Sequence, residues 1–154
     1  MEVISSSGSA TSEIIQTLNV KVANESHIFL LIYMEGCGPC NATRPEWDKI
    51  KNVLSKSKKI VLVDAESSIL AENDFKKIIG VSPEGFPSMY YIRGKLVEKY
   101  EDSAITEKDR SAGSFVEWIK SKTAQSGGGR RKRSRKTKKK KKNTRRKSKR
   151  RRMH

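Results

Sequence analysis

The chain has 154 residues, with 34 Lys and Arg against 17 Asp and Glu and a formal net charge of +17. The excess is local: residues 130–152 hold 18 of the basic side chains and no acidic one, leaving 16 basic against 17 acidic in residues 1–129, a net charge of −1 there. Two cysteines exclude a disulfide-stapled scaffold, and the longest apolar run, residues 28–34, is far short of the ~20 residues a membrane helix needs.

The opening stretch, "MEVISSSGSATSE", has neither a basic n-region nor an apolar h-region. The expectation is a protein that is not secreted and works in a reducing cytoplasmic or nuclear setting. The Asn24-Glu25-Ser26 and Asn41-Ala42-Thr43 sequons are then coincidental. Val3 and Ile4 fit a short edge strand. From Ser12 to Ala23, apolar residues at Ile14, Ile15, Leu18 and Val22 follow helical spacing. Residues 28–34 form a continuous apolar run rich in strand formers, as in a strand buried on both faces of a parallel sheet. A helix with Trp47, Ile50, Val53 and Leu54 on one side follows, then a buried strand over Ile60–Val63. Ala71, Phe75, Ile78 and Ile79 mark another helix face, and Gly80 suits its C-terminal cap.

After the punctuation of "SPEGFP", the segments "SMYYI" and "LVEKY" flank a turn at Gly94 and read as a hairpin. Ser114 and Glu117 have capping-box spacing and predict the start of a last helix, with Phe115, Trp118 and Ile119 facing inward. Strands that alternate with helices and end in a hairpin give an α/β fold, a mixed sheet of four to five strands with helices on both faces. The domain takes in residues 1–124, a Gly/Ser linker residues 125–129, and residues 130–154 form a basic tail that cannot build a core and is expected to be disordered.

The only cysteines stand in "MEGCGPCNATRP", at Cys37 and Cys40. The motif lies at a strand-to-helix junction, where unpaired backbone N–H groups and the helix dipole stabilise a thiolate. Gly38 lets the chain turn closely, and Pro39 fits a first helical turn, where a missing N–H costs nothing. In a redox pair, Cys37 is the exposed nucleophile that attacks a disulfide, and Cys40, one turn on and more buried, resolves the mixed disulfide. Two other readings stand beside this one: a structural pair, and half of a zinc site. The chain adds only His27 and His154 to the two thiols, so a zinc site would need a second chain.

The segment "FLLIYMEGCGPCNATRPEW", with Pro45 five residues after Cys40, resembles the central strand, active-site turn and kinked second helix of thioredoxins. "DFKKIIGVSPEGFPSMYYIRGKLVEKYE" is similar to the family's third helix, cis-proline loop and terminal hairpin, and the likeness covers about residues 14–122. The resemblance implies a thioredoxin fold, a redox-active Cys37–Cys40 disulfide, and Pro87 as a cis-proline facing the cysteines. It further implies that the Phe86 backbone pairs with substrate like an added strand. No cofactor or metal is implied. The partners are a disulfide-bearing protein and a reductase or small thiol that recycles the pair, and the protein is expected to be a monomer.

Three departures from the family accompany the match. Gly36 stands where thioredoxins usually have Trp beside the nucleophile, so the substrate-binding surface there differs. Leu31 replaces the buried Asp beneath the site, and Ile60 replaces its Lys partner. The sequence places no other acid in the core, Glu35 being on the solvent side, and resolution by Cys40 is expected to be slower.

The tail carries Arg130, Arg131, Lys132, Arg133, Arg135, Lys136, Lys138, Lys139, Lys140, Lys141, Lys142, Arg145, Arg146, Lys147, Lys149, Arg150, Arg151 and Arg152. Such a segment binds nucleic acid or another polyanion by counterion release. Without an aromatic residue it has no means of base stacking or sequence choice. Basic tails after a Gly/Ser linker are similar to those on small proteins of large DNA viruses, which implies a virion-packaged redox protein. Two functions compete: a thiol–disulfide oxidoreductase, reductive in direction, with a polyanion-binding tail; and a non-catalytic packaging or scaffold protein that uses the fold as a recognition module.

Overall fold

The structure is a computed structural model, and it describes residues 2–5, 11–54, 59–80 and 82–124. The elements in chain order are β1 (Glu2–Ser5), α1 (Thr11–Ala23), β2 (His27–Tyr33), α2 (Gly38–Val53), β3 (Ile60–Glu66), a 3-10 turn (Ser67–Ala71), α3 (Asn73–Ile79), β4 (Ser88–Arg93), β5 (Leu96–Lys99), a second 3-10 turn (Tyr100–Asp102) and α4 (Ala112–Ala124). The five strands form one mixed sheet in the order β1-β3-β2-β4-β5. β3 runs parallel to both β1 and β2, and β4 runs antiparallel to β2 and β5.

The apolar run of β2 occupies the centre of this sheet, and all seven of its residues are buried. Side chains alternate between the two faces of a strand, so β2 feeds two cores. Ile28, Leu30 and Ile32 pack with Ile14, Ile15 and Leu18 of α1 and Phe75 and Ile79 of α3. Phe29 and Leu31 pack on the other side with Trp47 and Ile50 of α2 and Phe115, Trp118 and Ile119 of α4. Each such aliphatic or aromatic burial is worth roughly 1.5–3 kcal/mol. The second face is also ring-rich: Trp118 meets Phe29 edge-on at 5.0 Å, and Trp47 meets Phe115 at 5.2 Å. This double anchoring packs β2 between two cores, and the cysteine motif emerges from its C-terminal end.

Several sequence expectations need adjustment. α4 begins at Ala112, not at Ser114. Its entry is held by Ser111, whose hydroxyl accepts the Ser114 N–H at 3.2 Å, while the buried Ser114 hydroxyl donates to the Ser111 carbonyl and accepts from Tyr100. Val53 is 62% exposed because it lies beyond the contact face of α2. Ala71 belongs to the 3-10 turn before α3 and is exposed. β3 runs on through Asp64, Ala65 and Glu66 instead of stopping at Val63. The hairpin turn at Gly94 is present, with φ +56°, and Gly80 caps α3 in the left-handed conformation. The linker and tail, residues 125–154, lie outside the described residues.

Candidate active site

After Tyr33 the chain leaves the sheet through Met34, Glu35 and Gly36 and enters α2. Gly36 sits at φ +74°, a conformation that side chains with a Cβ rarely adopt. The absent Trp is thus matched to the local backbone: a tight left-handed turn stands where thioredoxins place an apolar side chain. Cys37 is the N-cap of α2 in extended conformation, and Pro39 lies in the first turn, as the sequence predicts. Gly38 opens the helix with open space where a Cβ would stand. The Cys40 N–H points at Cys37 Sγ, 3.4 Å away. The Cys37 sulfur therefore takes the place of a capping oxygen and faces the positive end of the helix.

Both thiols are free. Cys40 Sγ donates to Cys37 Sγ at 2.7 Å. Cys37 is partly exposed, whereas Cys40 is fully buried. Thr43, one turn on, returns its hydroxyl to the Pro39 carbonyl at 2.9 Å and steadies the turn. Pro45 lies inside α2.

The second wall of the site comes from the loop before β4. The Phe86–Pro87 peptide bond is cis, and the Phe86 carbonyl lies 3.7 Å from Cys37 Sγ. Residues 49 positions apart in sequence thus meet at the Cys37 sulfur. Gly36, Cys37, Gly38, Pro39, Cys40, Phe86 and Pro87 form one constellation.

Burial pushes the Cys40 thiol above its ordinary pKa, and its hydrogen bond to Cys37 adds to the effect. A backbone hydrogen bond from Met34 and the positive charge of Arg110 act in the opposite direction. Sequence reading overlooked Arg110. It sits in the loop before α4 at φ +60°, pairs with Glu101 at 3.2 Å, and neighbours Pro39 and Thr43 across a shallow groove. A loop residue leaves no periodic trace, and only an unassigned Arg just upstream of the α4 start pointed to it.

A buried acid does exist near the site. Asp64 of β3 is 6% exposed and stands directly across from Leu31 in the sheet register. Its carboxylate accepts from Ser5 at 2.6 Å and from Lys51 at 3.3 Å. It borders a small polar cavity of about 120 Å³ with Leu31, Arg44 and Trp47. The expectation of an acid-free core is therefore corrected. The polar pair has moved one strand over, and its cation comes from α2 instead of Ile60. The charged groups that act most on Cys40 are nevertheless Cys37 and Arg110.

His27 lies at the far end of β2 from the cysteines, where its Nδ1 meets the Tyr91 hydroxyl at 2.8 Å. Among the described residues no group of three or more His, Cys, Asp or Glu is placed to hold a metal. No helix among them is long and apolar enough to cross a membrane. The basic residues from Arg130 to Arg152 lie outside the described residues.

Residues 11–120 match the thioredoxin family model. The chain belongs to the thioredoxin family. That family is one of thiol–disulfide oxidoreductases. Among solved structures the fold is similar to the Trx4 domain of ERdj5 (TM-score 0.53, 18% identity, 81% of this chain and 98% of that one). It is also similar to chloroplastic thioredoxin z (TM-score 0.52, 18% identity, 80% of this chain and 96% of that one). The J-Trx1 fragment of ERdj5 aligns with 78% of this chain at 19% identity and TM-score 0.53, and this thioredoxin-family chain spans 49% of that fragment. At such identities the likeness is one of fold. No curated protein matches the sequence.

Proposed function

We propose that this chain is a dithiol–disulfide oxidoreductase that reduces disulfides in client proteins. The observation that carries the reading is the arrangement of Cys37 and Cys40. One sulfur is accessible at a helix N-terminus, the other is buried 2.7 Å from it, and the Phe86 carbonyl flanks the first. The Cys37 thiolate attacks one sulfur of a client disulfide, forming a mixed disulfide and releasing the other client sulfur as a thiolate that takes up a proton. Cys40, deprotonated, then attacks Cys37 Sγ. The second client sulfur leaves as a thiol, and a Cys37–Cys40 disulfide remains. Two electrons have passed to the client, and an external dithiol or reductase must return them before the next cycle. The Phe86 backbone, held beside the nucleophile, offers the client an edge to pair with.

The experiment is insulin reduction with dithiothreitol as recycling thiol, comparing wild type with Cys37→Ser. Wild type accelerates precipitation of the insulin B chain and the variant does not. Equal rates for both, at high protein concentration, would remove the enzymatic reading and leave the non-catalytic recognition module. The Leu31, Ile60 and Gly36 replacements lend that alternative its support.

We extend the proposal to the tail on composition alone. Eighteen cations in residues 130–152 favour non-specific binding to nucleic acid or another polyanion in a reducing cytoplasmic or nuclear compartment. Affinity for duplex DNA is expected to fall steeply between 50 and 200 mM salt, on the order of a thousandfold or more, and to vanish when residues 130–154 are deleted. Salt-independent binding would refute it.

A further inference from the structure

Beside the nucleophile, on the side of the cis peptide, the surface sinks into a groove of about 430 Å³. Phe86 and Pro87 form its near rim, so it is continuous with the backbone edge that faces Cys37 Sγ at 3.7 Å. Its lining carries three carboxylates, Glu84, Glu101 and Asp102, and two cations, Lys99 and Arg110. Both cations are already engaged: Lys99 holds Glu84 at 3.3 Å and Arg110 holds Glu101 at 3.2 Å. Asp102 is exposed and has no ion pair among the described residues, and the Glu84 side chain is 89% exposed on its loop. The groove thus presents a surplus of negative charge in a concave wall, which focuses the field a client meets.

We propose that this groove is the specificity subsite of the exchange reaction and that it takes the Lys or Arg side chain of a client flanking the reactive cysteine. The proposal rests on the oxidoreductase reading above. A client strand laid along Phe86 places the residue two positions from its cysteine on the same face, about 6.6 Å further on, over the groove. A cationic side chain there meets Asp102, which has no ion pair among the described residues, and shares the exposed Glu84 carboxylate with Lys99. An anionic one meets like charge and must compete for cations that Glu84 and Glu101 already hold. The turn at Gly36 contributes no aromatic surface next to the nucleophile, so charge selection in the groove takes over the discrimination that an apolar patch would supply.

The test uses the full chain and two fluorogenic disulfide peptides, identical except for Arg or Glu two residues from the cysteine, with uncharged dithiodipyridine as a third oxidant. The quantity read is the ratio of the Arg-peptide rate to the Glu-peptide rate, in wild type and in the exposed double variant Glu84→Gln/Asp102→Asn. The basic tail acts equally on both proteins and cancels from the comparison. The ratio is expected to fall about fivefold in the double variant at low salt. An unchanged ratio, with both peptides and dithiodipyridine reacting through Cys37, overturns the subsite and leaves the oxidoreductase reading intact. If no oxidant reacts faster with wild type than with Cys37→Ser, the oxidoreductase reading fails and the subsite falls with it.

Discussion

The two ends of β2 bury titratable side chains by the same physics and to opposite effect. Beyond the C-terminal end, burial raises the Cys40 thiol pKa; at the N-terminal end, burial first, with the charges of Arg93 and Lys59 second and third, lowers that of His27. In both cases the charged form is disfavoured. His27 does its structural work neutral, held to Tyr91 at 2.8 Å. In the proposed exchange, Cys40 has to become charged to complete a turnover. A buried group can thus be a stabilising element at one end of a strand and a kinetic bottleneck at the other.

The largest effect expected from this contrast is at Cys40 itself. Cys40→Ser keeps the exposed nucleophile and removes the resolving thiol, so turnover should fall roughly a hundredfold or more while a covalent client adduct accumulates on Cys37. Mass spectrometry of the trapped species reads the outcome; absence of any adduct would contradict Cys37 as the attacking thiol.

Next in size is the pH dependence of resolution. In the mixed disulfide Cys37 can no longer hydrogen-bond as a thiol, but the burial of Cys40 persists. The thiolate fraction should rise about tenfold per pH unit up to the raised pKa, so single-turnover release of client should climb through pH 7 to 9 without levelling. A plateau near neutrality would mean that an acceptor such as Asp64 takes the proton efficiently. Arg110→Gln removes the cation that favours the charged thiol, and release at fixed pH is expected to slow a few-fold as the whole profile moves to higher pH. A uniform drop with no shift in the profile would assign Arg110 a purely structural part.

The smallest effect belongs to the quiet end. Because the folded-state pKa of His27 lies below the ordinary value of 6.5, the unfolded chain binds the proton more readily. The stabilisation is complete above about pH 6.5 and is lost as pH falls through the window down to the folded-state value. Urea midpoints measured from pH 8 to 5 should decline for wild type and decline less for His27→Gln, which keeps a partner for Tyr91.

Much of this architecture was legible in the sequence because it depends on local pattern. Seven consecutive apolar residues specify a central strand, Cys-Gly-Pro-Cys at its exit specifies a helix start, and Pro87 is marked by the likeness of its flanks to the family. What escaped depends on partners distant in sequence. Asp64 reads as the end of a strand until Ser5, 59 residues away, and Lys51 satisfy its buried carboxylate. The start of α4 was misplaced because Ser111 and Ser114 are both competent caps, and Tyr100 decides between them by drawing the Ser114 hydroxyl inward. Arg110 and the acidic groups around Asp102 are assembled from loops and a short 3-10 turn, where no periodicity announces a neighbour.

The most direct measurement is a redox titration of the full chain in defined thiol–disulfide buffers, with the fraction oxidised read by thiol alkylation and mass. A reversible two-electron couple between Cys37 and Cys40, abolished by either Cys→Ser change, is the predicted result. Cysteines that stay reduced across the whole range, or that oxidise only between chains, would contradict it.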